Sequence, residues 1–160
     1  MATPRDIRRM AFSALYQLDA HDRPDEAQVR ASLDEVRQGH DSAIDEKDRE
    51  KAMALARAAF ETRGEADREV MELSPGWPAH RQPAVDRAII RLAWYELTSG
   101  RTSPKIAVNE AVELAKEFST EKSPAFVNGV LDKVLKRVLA SVAAPEPPAE
   151  LAPDPSVEKT

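Results

Sequence analysis

The chain has 160 residues, 42% apolar and 32% charged, enough to bury a core in one domain or two small bundles. Its formal net charge of −5 excludes a generic basic nucleic-acid binder, so any such binding must be local or shared with a basic partner. No Cys is present, which removes disulfides and thiolate metal sites, and no apolar run approaches the ~18 residues of a membrane span. No apolar run precedes the N-terminal charges either, so no signal peptide is expected and the setting is read as cytoplasmic. With only 5 Gly and much Ala, Leu, Glu, Arg and Lys, the composition favours an all-α fold.

The first predicted helix starts at Thr3 as cap, with Pro4 in the first turn and Asp6 completing an approximate capping box. Ile7, Met10, Ala11, Ala14, Leu15 and Leu18 share one face at 100° per residue. The opposite arc carries Arg5, Arg8, Arg9, Phe12, Tyr16 and Asp19, and the helix should end near Ala20. A weaker helix is expected over Pro24–Gln38, with Val29, Leu33 and Val36 as a thin apolar stripe. A long helical pattern follows over Asp45–Leu73, on which Met53, Ala56, Phe60 and Val70 are apolar and Arg63 and Asp67 interrupt. Gly64 costs about 1 kcal/mol there relative to Ala and marks a candidate break.

Residues 74–83, "SPGWPAHRQP", hold three Pro and one Gly and read as a linker between two helical halves, 1–73 and 84–142. The wide apolar arc of 84–100, with Val85, Ile89, Ile90, Leu92, Ala93, Trp94 and Leu97, predicts a central buried helix stopped by Gly100. Two further helices open on Ser-Pro, over 103–119 and 123–142. The second has a core stripe of Phe126, Val127, Val130, Leu131, Val134, Leu135 and Val138, and Gly129 within it is expected to admit a close neighbour. Residues 143–160 carry five Pro and a charge of −3, and are read as a disordered acidic tail.

Little in the sequence supports catalysis. There is no Gly-rich phosphate loop, and His21, His40 and His80 lie far apart near helix ends, so neither a metal nor another cofactor is expected. Asp86 and Glu96 lean toward the apolar arc of the central helix. The plainer reading of them is that Asp86 favours a helix N-terminus and Glu96 pairs with an Arg, so the chain is not read as an enzyme. The first helix remains. Its guanidinium groups suit phosphate, and Phe12 and Tyr16 offer faces on which unpaired bases stack. Spacing alone leaves three readings open. The aromatics stack on bases; or they pack on the second half while the arginines are solvated; or the arginines face a nucleic acid and Tyr16 faces a protein.

"RRMAFSALYQLD", "VDRAIIRLAWYEL", "VNEAVELAKEFS" and "FVNGVLDKVL" occur in the order and spacing of the NusB family of bacterial transcription antitermination factors, which the chain resembles over nearly all of 5–140. The resemblance implies two angled helical-bundle subdomains within 1–142. It also implies binding of boxA-type single-stranded RNA as a heterodimer with NusE, a small-subunit ribosomal protein. That pair would join the elongating RNA polymerase complex, chiefly on ribosomal RNA operons. By position, the resemblance implies RNA contact by Arg5, Arg8, Phe118 and Lys122, with Arg9 as an addition, and partner contact by Tyr16 and Asp86. Pro4 stands where the family has the other member of a basic pair, Asp6 follows Arg5, and Ala125 replaces a basic residue before "FVNG". Asn109, Glu110, Asn128 and Gly129 match motif positions read as structural. The alternatives are a protein-interaction scaffold without RNA contact, and a stand-alone relative of the RNA-recognition domain of ribosomal RNA cytosine methyltransferases.

Overall fold

The computed structural model describes residues 2–20, 25–33 and 45–143, and the segments 21–24, 34–44 and 144–160 lie outside that description. The expected acidic tail therefore falls almost wholly outside it. The described residues form seven α-helices: α1 Pro4–Ala20, α2 Glu26–Ser32, α3 Glu46–Glu61, α4 Arg63–Leu73, α5 Ala84–Ser99, α6 Pro104–Phe118 and α7 Ser123–Ala143. A short 3₁₀ turn, Ala79–Arg81, interrupts the linker before α5.

Local chemistry accounts for the helix starts. Thr3 Oγ1 accepts from the Asp6 amide at 3.1 Å, and the Thr3 amide donates to Asp6 Oδ2 at 3.0 Å, so the capping box closes on both sides. Asp25 and Asp45 cap α2 and α3 through the amides of Ala27 and Asp48. Gly100 ends α5 in the left-handed region at φ 72°, where a side chain would be strained.

Two elements differ from expectation. The pattern over Asp45–Leu73 is two helices, not one, and the break falls at Thr62, not Gly64. The Thr62 hydroxyl donates to the Ala58 carbonyl at 2.9 Å, beside the Thr62 amide, which reaches the same carbonyl at 3.1 Å. Gly129 admits no neighbour: nothing lies within 4 Å of where a Cβ would stand, and the residue is exposed. Of the expected Pro24–Gln38 helix, Glu26–Ser32 is helical, and Pro24 and 34–38 lie outside the described residues.

One apolar cluster gathers Met10, Leu15, Leu33, Met53, Ile89, Leu92, Leu97, Val127, Leu131 and Val134 from both sides of the linker. α5 is its axis. It packs on α1, α3 and α4 on one side and on α6 and α7 on the other, while α1 packs on α3 and α6 on α7. The polar interruptions of 45–73 also acquire partners. The Arg63 guanidinium sits 3.8 Å above the Phe60 ring, and Asp67 binds Arg91 through two bonds of 2.9 and 2.6 Å.

Asp19 at the end of α1 takes Arg87 at 2.6 Å and Arg91 at 2.9 Å, so these ion pairs join α1, α4 and α5. Burial would raise the Asp19 carboxyl, but the hydrogen bonds and charges of the two arginines outweigh it and hold it below the ordinary range. No described helix is long and apolar enough to cross a membrane.

Candidate nucleic-acid interface

Arg5, Arg9, Phe12 and Tyr16 recur at intervals of four, three and four residues, which puts them on one stripe of α1. That stripe faces α6 across a groove. Arg5 donates twice to Glu110, at 3.0 and 2.9 Å, and Arg9 donates to Glu117 at 2.8 Å. Phe12 then meets Phe118, with ring centroids 5.1 Å apart. These partners rise in step along both helices, so α1 and α6 run in the same direction. The groove holds about 180 Å³ and is lined by Arg5, Arg9 and Lys116 against Glu110, Glu113 and Glu117, with Leu114 at its floor.

The expected RNA-binding residues separate into two groups. Arg5 is half exposed, and Phe118 is exposed at the far end of the same face, while Lys122 is exposed in the α6–α7 turn, on a separate cleft with Trp77 and Phe126. Arg9 is partly exposed and pairs with both Asp6 and Glu117. Arg8 corrects the expectation of an exposed arginine. It is buried with Glu96, to which its Nε donates at 2.9 and 3.2 Å, and a terminal nitrogen reaches Thr102 at 3.4 Å. The reason lies in helix geometry: Arg8 is three residues from both Arg5 and Ala11, so it sits at the edge of the core stripe and not at the centre of the outer arc. Glu96 is thus the Arg partner expected from sequence. Burial pushes its carboxyl above the usual range, and the charge and hydrogen bonds of Arg8 offset this only in part. At Arg5 the balance is opposite. Its hydrogen bonds hold the Glu110 carboxyl below the usual range, against a smaller effect of burial.

The expected partner contacts also part company. Tyr16 is 39% exposed, with its ring 6.4 Å from Phe12. Phe12 itself is buried, so the two aromatics of the outer arc have different surroundings. Asp86 is 2% exposed, in keeping with its place toward the apolar arc of the central helix. It accepts from the hydroxyls of Ser119 at 2.5 Å and Ser123 at 2.9 Å, and so clamps the α6–α7 turn to the first turn of α5. It also underlies a small cleft of about 260 Å³ lined by Trp77, Pro83, Lys122 and Phe126. Trp77 is exposed and packs edge-on against Phe126 at 5.0 Å.

Three carboxylates of this face escape a reading of the sequence. Glu110 reads as structural there, and Glu113 and Glu117 do not stand out. A signal exists: positions 110, 113 and 117 are spaced three and four apart on one face of α6. What spacing cannot give is that this face lies against the arginine stripe. Among the described residues, no group of acidic or His side chains could hold a metal ion, while His21 and His40 lie outside the described residues.

Most of the chain is matched by known proteins, in sequence and in structure. The model of the NusB family matches residues 5–136. The transcription antitermination protein NusB of Symbiobacterium thermophilum is 40% identical over 145 residues, covering 89% of this chain and 95% of that protein. The namesake protein of Solibacter usitatus is 38% identical, covering 94% and 99%. Among solved structures, NusB of T. maritima superposes with a TM-score of 0.69 at 34% identity, over 85% of this chain and 93% of that one. A crystal structure of antitermination factors NusB and NusE in complex with dsRNA gives 0.66 at 25% identity, over 83% and 96%. Matched by the family model over residues 5–136 and by relatives over nearly their full length, the chain belongs to the NusB family of transcription antitermination proteins.

Proposed function

We propose that this antitermination factor binds single-stranded RNA of boxA type along the α1/α6 face, together with a NusE partner, within the RNA polymerase elongation complex on ribosomal RNA operons. The observation that carries this reading is the continuity of that face. Arg5 and Arg9 at one end and Phe118 beyond them offer phosphate forks and a ring face along one groove, and Lys122 adds a charge in the α6–α7 turn that follows. Guanidinium groups suit phosphate, and exposed rings stack only on bases that are not already stacked in a duplex. The similar complex of NusB, NusE and dsRNA supports RNA and NusE as partner classes. The choice of single-stranded RNA rests on that ring face. Tyr16 serves the partner with its exposed ring. Asp86 acts from beneath, by fixing the turn that carries Lys122. Arg8 belongs to the support of α1 and not to phosphate contact.

The test is binding of a boxA-type oligoribonucleotide to the chain alone and to its mixture with NusE, over a range of salt. Tighter binding by the mixture is expected. Arg5→Ala with Arg9→Ala should flatten the salt dependence of log affinity by about 1.4, since each phosphate neutralised on a single strand accounts for about 0.7. Equal affinity and slope in the double variant would favour a scaffold without RNA contact.

A further inference from the structure

We propose that Glu110, Glu113 and Glu117 act as an acidic guard on the RNA face: in the free protein Glu110 and Glu117 hold Arg5 and Arg9, Glu113 holds Lys116, and incoming phosphates must displace them. This inference rests on the RNA-binding reading above and adds a device that limits binding by the chain alone. The groove between α1 and α6 is balanced in charge, with Arg5, Arg9 and Lys116 set against the three carboxylates. The arginine forks, which a phosphate would engage, are already engaged. Both donors of Arg5 that bind Glu110 lie within 3.0 Å of it, and Arg9 gives its Nε to Glu117.

The guard is graded by exposure. The Glu110 side chain is largely covered and locked to Arg5, while those of Glu113 and Glu117 stand 46% and 41% exposed on the rim. Glu113 pairs with Lys116 at 3.2 Å, which diverts that lysine as well. Exposed pairs of this kind are weak, so phosphates can displace them. The carboxylates nevertheless remain within a Debye length of any phosphate in the groove and repel it. A weakly held polyanion is therefore turned away. A ligand also anchored by a basic partner has the additional affinity to open the pairs. An acidic chain thus keeps a phosphate-binding stripe closed to chance polyanions.

The test is affinity of the chain alone for a boxA-type oligoribonucleotide, with Glu113→Gln and Glu117→Gln combined. Both side chains are on the rim, so folding should be unaffected, and a melting curve checks this. The guard predicts a gain of about threefold to tenfold at low salt that shrinks as salt rises. Glu113→Asp with Glu117→Asp keeps the charge and should keep affinity near that of the unaltered chain. An unchanged or weaker affinity in the Gln variant would mean that the pairs merely order the arginines, and would overturn the guard. The unaltered chain with NusE is measured alongside. If that mixture also fails to bind RNA, the RNA reading itself falls; if it binds while the Gln variant shows no gain, only the guard does.

Discussion

Arg5 and Arg8 are three residues apart on α1, and the sequence treats them alike. The fold does not. The Arg5 side chain is half exposed against Glu110, so its ion pair is screened by water and contributes little to stability. Arg8 is buried with Glu96, where each charge depends on the other for its solvation. Arg8→Ala leaves a buried carboxylate without its partner and should lower stability by about 3 kcal/mol. Arg5→Ala should leave stability almost unchanged. Urea unfolding of the two variants checks this, with equal losses as the result against it. Replacing both members of the buried pair, Arg8→Met with Glu96→Leu, should recover most of the loss, because well-packed apolar groups replace such a pair with little penalty. The pairing of Glu96 with an arginine was legible from its place in an apolar arc. Which arginine it took was not, since positions 8 and 96 meet only when α1 docks on α5.

At the scale of the elements, helix starts were the most legible feature because they are made of neighbours. Thr3-Pro4 with Asp6, and the Ser-Pro openings of α6 and α7, stand where the sequence puts them. The stop at Gly100 was legible for the same reason. The break falls at Thr62 and not at the expected glycine: Gly64 costs entropy but can stay helical, and Thr62 is where the side-chain hydroxyl joins the amide on the Ala58 carbonyl. Gly129 shows the opposite error. A glycine in an apolar helix reads as a packing notch, yet this one faces open space. Gly129→Ala should therefore stabilise α7 by about 0.5–1 kcal/mol, through helix propensity and a less flexible unfolded chain. Thermal unfolding of this variant checks the claim. A lower melting temperature would mean that the position is packed against a neighbour after all.

Across the whole molecule, the puzzle of the sequence was an acidic chain with a basic, aromatic first helix. Half of the answer is internal: Arg8, Arg87 and Arg91 are spent on buried or bridging pairs with Glu96, Asp19 and Asp67. The other half is the α1/α6 face, where Arg5 and Arg9 are held by Glu110 and Glu117 and the rings of Tyr16 and Phe118 remain exposed. The residue types of that face were legible from α1 and from the family motifs. The opposing carboxylates were not, because they follow from which helix lies alongside α1. Asp86 was legible as a residue leaning toward the apolar arc of its helix, but the serine hydroxyls that meet it there were not, since they arrive with the α6–α7 turn. The measurement that tests the RNA face most directly is ultraviolet crosslinking of a boxA-type oligoribonucleotide to the chain bound to NusE, with the crosslinked peptides of this chain identified. The α1/α6 face predicts crosslinks in residues 3–20 and 104–123, centred on Phe118. Crosslinks confined to α3, α4 or the outer face of α7, or to the partner alone, would contradict it.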